Sequence, residues 1–176
     1  DGTFYVRDDE GESDENKVFY GRLTIGLFGT VAPNHVEQFL KYVESYNPAE
    51  ENPYPSYARS QFDSMDDNTG LLNCGVIPGL EVTSIGGGVG LEYRGRILGA
   101  PLWIESNQGE GRKKISHSLG KKGGLLTHRD LDVSPNFGLT TRPSGAELDA
   151  SHTVFGRVFL DESSTEFLDR MIDVPT

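Results

Sequence analysis

The chain has 176 residues, with 27 acidic against 16 basic side chains and a net charge of −11. That length suits one domain with its own core. The charge argues against nonspecific binding to nucleic acid or anionic lipid, and no apolar run reaches the length of a membrane span. A single cysteine, Cys74, excludes an internal disulfide.

Thr3–Val6 reads as a short strand. Asp8 to Glu15 follows with six acids in eight residues. Without the ligand spacing of a calcium loop, it reads as a solvated hairpin loop. Arg22–Phe28 has strand composition, with Leu23, Ile25 and Leu27 alternating toward one face. Pro33 sets a helix start. Val36, Phe39, Leu40 and Val43 recur at i, i+3, i+4 and i+7, an apolar stripe that predicts a helix over Pro33–Ser45. Asn47-Pro48 ends it. His35, on the first turn, is expected at the surface. Pro48 to Tyr57 holds three prolines and reads as a loop. Asp66, Asp67 and Asn68 look like metal ligands, but Gly70 is misplaced for an EF-hand loop, so a turn is expected. Gly86-Gly87-Gly88-Val89-Gly90 lacks the Gly-x-Gly-x-x-Gly spacing before a helix. It predicts a bend rather than a phosphate cradle. Glu92 to Trp103 alternates polar and apolar residues.

Arg112, Lys113, Lys114, Lys121 and Lys122 form a basic cluster. No aromatics interleave it and the chain is acidic, so it predicts a docking patch for an acidic partner rather than a nucleic-acid site. Three strand-like runs follow, Leu125–Thr127, Phe137–Thr141 and Val154–Phe159, punctuated by Gly, Pro, Asp and Ser. The polar loop Arg142–Ser151 delivers His152 to the start of the last. His128 reads as a satisfied strand-end histidine, His117 as solvated and Cys74 as a structural thiol. Ser163-Ser164-Thr165-Glu166 has capping-box spacing. Phe167, Leu168, Met171 and Ile172 supply the buried face of a helix over Ser164–Ile172. The whole reads as one mainly β domain over residues 1–176.

Three motifs of the second half resemble those of the cyclophilins. They are Gly-Leu-Leu-Thr ending at Thr127, Asn-Phe-Gly-Leu-Thr-Thr from Asn136, and Leu-Asp-Ala-Ser-His-Thr-Val-Phe-Gly-Arg-Val from Leu148. The family carries Gly-Leu/Ile-Leu-Ser, Gln-Phe-Phe-Ile and Leu-Asp-Gly-x-His-x-Val-Phe-Gly-x-Val. The stretch from Gly21 to Phe39 is similar to the family's strand–turn–helix entry. Val76-Ile77-Pro78-Gly79-Leu80 is similar to the end of its Phe-His-Arg-x-Ile-Pro-Gly-Phe segment. Phe62-Asp63-Ser64 aligns with the front of that segment, which makes Met65–Cys74 an insertion. The resemblance runs from Thr3 to Ile172. It implies a closed eight-stranded antiparallel barrel capped by two helices. The family's usual final closing strand has no counterpart before Thr176, so either that strand lies beyond this sequence or something else covers its edge.

The resemblance also implies a chemistry, rotation about the bond before proline, against a barrier of about 18–20 kcal/mol. It calls for no nucleophile, metal or cofactor. It needs an apolar pocket for the proline ring and a donor for the twisted nitrogen. The family's donor arginine falls at Gly75, or at Ser64 if Phe62 is the anchor; neither donates as a guanidinium does. Arg59 is the candidate substitute. The family's Phe-Met pair is Leu80-Glu81. The second phenylalanine of Gln-Phe-Phe is Gly138, after Phe137. The tryptophan before Leu-Asp is Glu147, and a small alanine is Arg129. Leu148 and His152 persist, and His152 either lines a peptide groove or orients the Leu148–Ser151 loop. Glycine in place of a pocket aromatic removes contact area, and Glu81 and Arg129 bring charge to a site that should be dry. These departures predict a degenerate domain with little or no isomerase activity, serving as a protein-binding scaffold or assembly subunit. The alternative is an active isomerase or folding chaperone. Gly-Leu-Phe-Gly-Thr near the first helix, Leu139-Thr140-Thr141 and Val174-Pro175-Thr176 resemble motifs of chloroplast thylakoid-lumen cyclophilins. The expected compartment is therefore that lumen. The expected partner is a large photosynthetic membrane complex, with no nucleic acid and no membrane span.

Overall fold

A computed structural model describes residues 4–6, 19–45, 54–99, 103–105, 114–143 and 145–172. For residues 4–6, 19, 20, 59, 146 and 172 it describes the backbone only. In chain order come β1 (Phe4–Val6), β2 (Phe19–Gly21), β3 (Ile25–Leu27) and α1 (Pro33–Glu44). Then follow β4 (Met65–Asp66), β5 (Leu71–Cys74), β6 (Leu80–Ile85), β7 (Gly88–Tyr93) and β8 (Arg96–Leu98). The last part carries β9 (Leu125–Arg129), β10 (Phe137–Thr140), α2 (Ala146–Asp149), β11 (His152–Val158) and α3 (Glu162–Ile172). All strand pairs within these sheets are antiparallel.

The mainly β, antiparallel architecture agrees with the sequence; the closed eight-stranded ring does not emerge among the described residues. There the strands form a β1-β2 pair, a six-stranded sheet ordered β3-β11-β9-β10-β5-β4, and a β6-β7-β8 meander. The six-stranded sheet begins at β3 and ends at β4 without returning on itself. Two more differences concern loops. Met65–Cys74 forms β4 and β5 rather than a loop, and β5 pairs directly with β10, with Phe137 opposite Cys74 and Gly138 opposite Asn73. The Arg142–Ser151 loop contains the single turn α2. The acidic run Asp8–Glu15, the residues Asn47 and Pro48, and the C-terminal Val174-Pro175-Thr176 lie outside the described residues.

Helix α1 starts at Pro33 as the sequence predicts, but its buried face is His35, Phe39 and Tyr42. Val43, in the predicted stripe, is 46% exposed. The stripe is displaced by one position because an imidazole and a phenol take inward positions that an apolar pattern does not register. At α3, Asp161 and not Ser163 caps the helix, its Oδ1 accepting from the Ser164 amide at 2.7 Å. Phe167, Leu168 and Met171 are buried as expected, and Ile172 lies beyond the described side chains. The Asp66–Gly70 segment is the expected turn, with Asp66 accepting from Asn68 N–H and Thr69 Oγ1. Gly86 and Gly87 both take positive φ, of 57° and 88°. They form a two-residue hairpin turn that suits the strand twist.

The core gathers around β11. Its register slips between Val154 and Gly156 against β9, a bulge that leaves Phe155 as the extra residue. Phe155 is fully buried. Its ring lies 5.3 Å from Phe39 and 6.5 Å from Phe137. Burying such a side chain stabilises the fold by about 1.5–3 kcal/mol.

Candidate functional site

The Leu-Asp-x-x-His motif has a physical reason. Leu148 is 4% exposed and packs inward from α2. Asp149 holds the turn at 116–117, with Oδ2 accepting from Ser116 Oγ at 2.6 Å and Oδ1 from the His117 amide at 2.7 Å. Asp149 Oδ1 also lies 2.6 Å from His117 Nδ1. Burial works to raise the Asp149 pKa, but hydrogen bonds from Ser116 and His117 outweigh it and hold it below the ordinary carboxylate value. His117 is completely buried, not solvated, with Nε2 3.0 Å from Thr127 Oγ1. A chain of polar contacts from α2 to β9 therefore replaces the exposed histidine that the sequence predicts.

His152 opens β11 opposite Arg129 at the end of β9. It is half-buried, with Nδ1 2.9 Å from Ser151 Oγ and its ring 6.4 Å from that of His117. Burial, then the neighbouring His117 and Arg129, lower its pKa. Arg129 itself is exposed. Of the predicted groove residues, Arg129, Leu148 and His152 thus gather at one end of the β9–β11 pair.

Phe137 and Gly138 lie elsewhere, inside the sheet. Phe137 packs between Phe39 and Tyr57, at 5.3 and 5.4 Å between ring centroids. Tyr57 donates its hydroxyl to Pro135 O at 2.6 Å, and burial raises its pKa well above the ordinary value. A Cβ placed on Gly138 would meet Leu71 Cδ1 at 2.5 Å and Thr127 Cγ2 at 3.0 Å. The volume that a phenylalanine would need there already holds Leu71. Gly75, directly after β5, has φ of 76°, and a Cβ there would lie 2.8 Å from ring carbons of both Phe137 and Tyr57. Only glycine suits that backbone and that space. Ser64 is exposed and its hydroxyl donates to Asp63 at 3.2 Å. Arg59 ends a 3₁₀ turn over Tyr57–Arg59; its side chain lies outside the described residues. Leu80 is half-buried against the core, Glu81 is exposed on β6, and Glu147 is exposed on α2.

The basic cluster divides. Arg112 and Lys113 lie outside the described residues. Lys114 binds Asp130 at 2.8 Å, just past the end of β9. Lys121 and Lys122 are exposed before its start. Lys122 lines a groove of about 610 Å³ with Asp161, Glu162, Glu166 and Asp169 of the α3 region. The five residues of β9 separate these ends by about 17 Å, so the three described lysines do not form one patch.

Residues that the sequence reading passed over build a second cluster. Helix α1 has Ala32 at its N-cap, no capping side chain and no acid in its first turn. Glu105, 70 residues away, supplies the cap: Oε1 accepts from His35 N–H at 3.1 Å and lies 2.8 Å from His35 Nδ1. Asn34 Nδ2 donates to Ile104 O at 2.6 Å. His35 is 1% exposed, against the surface position expected for it. Two residues before Glu105, Trp103 stacks on His128 at 4.1 Å. His128 donates from Nε2 to Ser134 O at 2.9 Å. Burial pushes its pKa down to about 4. Cys74 is buried, and burial raises its pKa, as suits a structural thiol.

Among the described residues no group of three or more His, Cys, Asp or Glu side chains is placed to hold a metal, and no helix is long and apolar enough to cross a membrane. No curated protein matches the chain. Residues 14–176 match the family described as "Cyclophilin type peptidyl-prolyl cis-trans isomerase/CLD". With its antiparallel sheets, its helix entry at Pro33 and its Leu-Asp-x-x-His anchor, the chain belongs to that family.

Proposed function

We propose that this member of the prolyl isomerase family is a degenerate binding module with little or no isomerase activity. The observation that carries the reading is the packing around Gly75 and Gly138. Of the two positions the family resemblance offers for the donor, Ser64 carries a hydroxyl rather than a guanidinium. The other, Gly75, and Gly138, where the resemblance calls for a pocket ring, have no room for a side chain. Leu71, Phe137 and Tyr57 take that room with the protein's own apolar groups. Without a preorganised donor, the twisted transition state gains no differential stabilisation over the bound substrate. Each 1.36 kcal/mol of lost stabilisation costs about tenfold in rate. In this reading the domain is a scaffold or assembly subunit of a larger complex. We further assign it to a photosynthetic membrane complex on the thylakoid-lumen side, on the strength of the short motifs quoted above and the complementary charge an acidic surface offers.

A protease-coupled peptide assay tests the chemistry. The expected rate with a prolyl peptide is close to the uncatalysed rate. Rates typical of a working isomerase, abolished by Arg59→Ala, overturn the reading in favour of an active enzyme. Gentle solubilisation of chloroplast membranes and size separation test the assembly role. Stoichiometric co-migration with one complex, lost at high salt, is expected. Recovery solely as a free monomer, while known complexes stay intact, refutes it.

A further inference from the structure

We propose that the outer edge of β6 (Leu80–Ile85) accepts an extended segment of a protein partner, one that alternates apolar and basic residues, as a fourth strand of the meander. The inference deepens the binding-module reading and rests on it for the existence of a standing partner.

β6 pairs with β7 along all six residues, and among the described residues no strand pairs with its other side. On alternate residues its N–H and C=O groups therefore point away from the sheet. Natural edges are ordinarily blunted by proline, charged side chains and lysine above all, a bulge or short length, and β6 carries one such charge, Glu81. β6 has the sequence Leu-Glu-Val-Thr-Ser-Ile, with neither proline nor lysine and an unbroken register. The opposite edge, β8, is only three residues long and contains Arg96.

The side chains along β6 specify what would lie against it. Val82 is 55% exposed and Ile85 36% exposed. They point to opposite faces, since three positions separate them in a strand. Ile85 lies over Gly90, where any Cβ would collide with it. An added strand would find an apolar neighbour on each face. Glu81 stands directly opposite Glu92 on β7. Like charges in directly opposed positions destabilise a sheet, and no described cation pairs with either. A lysine or arginine on a strand beside β6 would sit next to Glu81 and relieve that repulsion. A second copy of this chain is the wrong occupant, because it would bring another Glu81 and a second net charge of −11 to the same edge. The chemistry that fits is β-strand addition by a basic, apolar-alternating segment.

The test uses the full chain at low salt and two soluble peptides of about eight residues, one alternating valine and lysine, the other valine and glutamate. Residue-resolved amide hydrogen exchange is followed by NMR over Glu81–Ile85. The valine–lysine peptide is expected to slow exchange of the outward amides about tenfold, as at a site about nine-tenths occupied. The valine–glutamate peptide is expected to leave them unchanged, and Glu81→Lys is expected to reverse the preference. Four outcomes overturn the proposal. Neither peptide protects β6, or both protect it equally. The outward amides are already protected in the monomer, which means another part of the chain covers the edge. Protection rises with protein concentration alongside a dimeric mass, which means a second copy does. Isomerase activity at family rates would sink the binding-module reading without altering the exchange result. Lack of peptide protection would sink this edge alone.

Discussion

Acid should loosen the protein through His128. The imidazole is completely buried, stacked on Trp103 and fixed by donation to Ser134 O. Its pKa falls from 6.5 to about 4, chiefly by burial, with the nearby His35 and His152 adding to the fall and the Ser134 bond and Asp132 opposing it. In the unfolded chain the same group takes up its proton near 6.5. The folded state therefore binds fewer protons between these values, and stability is lost as pH falls. Above 6.5 the contribution is fully present. At about 1.36 kcal/mol for each pH unit, the loss reaches about 2 kcal/mol at pH 5 and about 3 kcal/mol near pH 4. The chain has one tryptophan, Trp103, so urea melts followed by its fluorescence report on the same stack. The comparison is wild type against His128→Phe, from about pH 7.5 to 5. The variant leaves Ser134 O without its donor, which costs about 1–3 kcal/mol at every pH. Its stability should fall less with acid than that of the wild type, by about 2 kcal/mol over this range. Parallel slopes for the two proteins would refute the argument and place the acid sensitivity elsewhere.

Gly138→Phe should not restore a proline pocket. It should destabilise by about 1–3 kcal/mol through collision with Leu71, and adding Leu71→Ala should recover part of that loss in chemical melts. Glu105→Ala should remove the N-terminal cap of α1 and cost about 1 kcal/mol, read as a lower melting temperature and faster amide exchange at Asn34 and His35. Asp149→Ala should strip His117 of its main-chain acceptor and of the partner of its Nδ1 and cost about 2–4 kcal/mol, since it leaves buried polar groups unpaired. Asp149→Asn, which keeps one acceptor, should cost less in the same melts.

The elements that local pattern dictates were legible. Pro33 opens a helix, alternation marks the strands, and Gly86-Gly87 marks a bend, because each depends on a few adjacent residues. The pairing of β5 with β10 was not legible. Phe62-Asp63-Ser64 offered a competing anchor, and only register against Phe137 and Gly138 separates the two. The buried histidines were missed for a related reason. His35 and His117 look like surface residues until Glu105 and Asp149 approach them, from 70 and 32 positions away. Sequence gave one negative hint at α1, since Ala32 cannot cap and no acid stands in the first turn. At the candidate site, Gly75 and Gly138 were readable in the sequence as departures from the motifs it resembles. The side chains that pack against them, Leu71 and Tyr57, were not, because both come from segments with no motif.

That packing bears on the reading proposed above. A pocket for a proline ring is apolar area left without contacts, and a preorganised donor is a polar group held away from its easiest partners; both cost stability. Here the same region is packed. Phe137 touches two aromatic rings, Tyr57 spends its hydroxyl on Pro135 O, and the side of Gly138 is closed by Leu71. In the proposed reading, these contacts turn area that catalysis would leave open into core. Exposed apolar side chains occur on the meander, at Val82, Val89 and Ile97, and also beside β9 and β11, at Leu119, Leu131 and Phe159. Sites of interaction are expected where such groups meet solvent. The experiments on peptide rotation and on β6 exchange are complementary, the first testing the packed region between β5 and β10 and the second the edge of the meander. In the binding-module reading proposed above, the packed region forgoes a pocket for a proline ring, and the β6 edge offers backbone groups that another chain can complete.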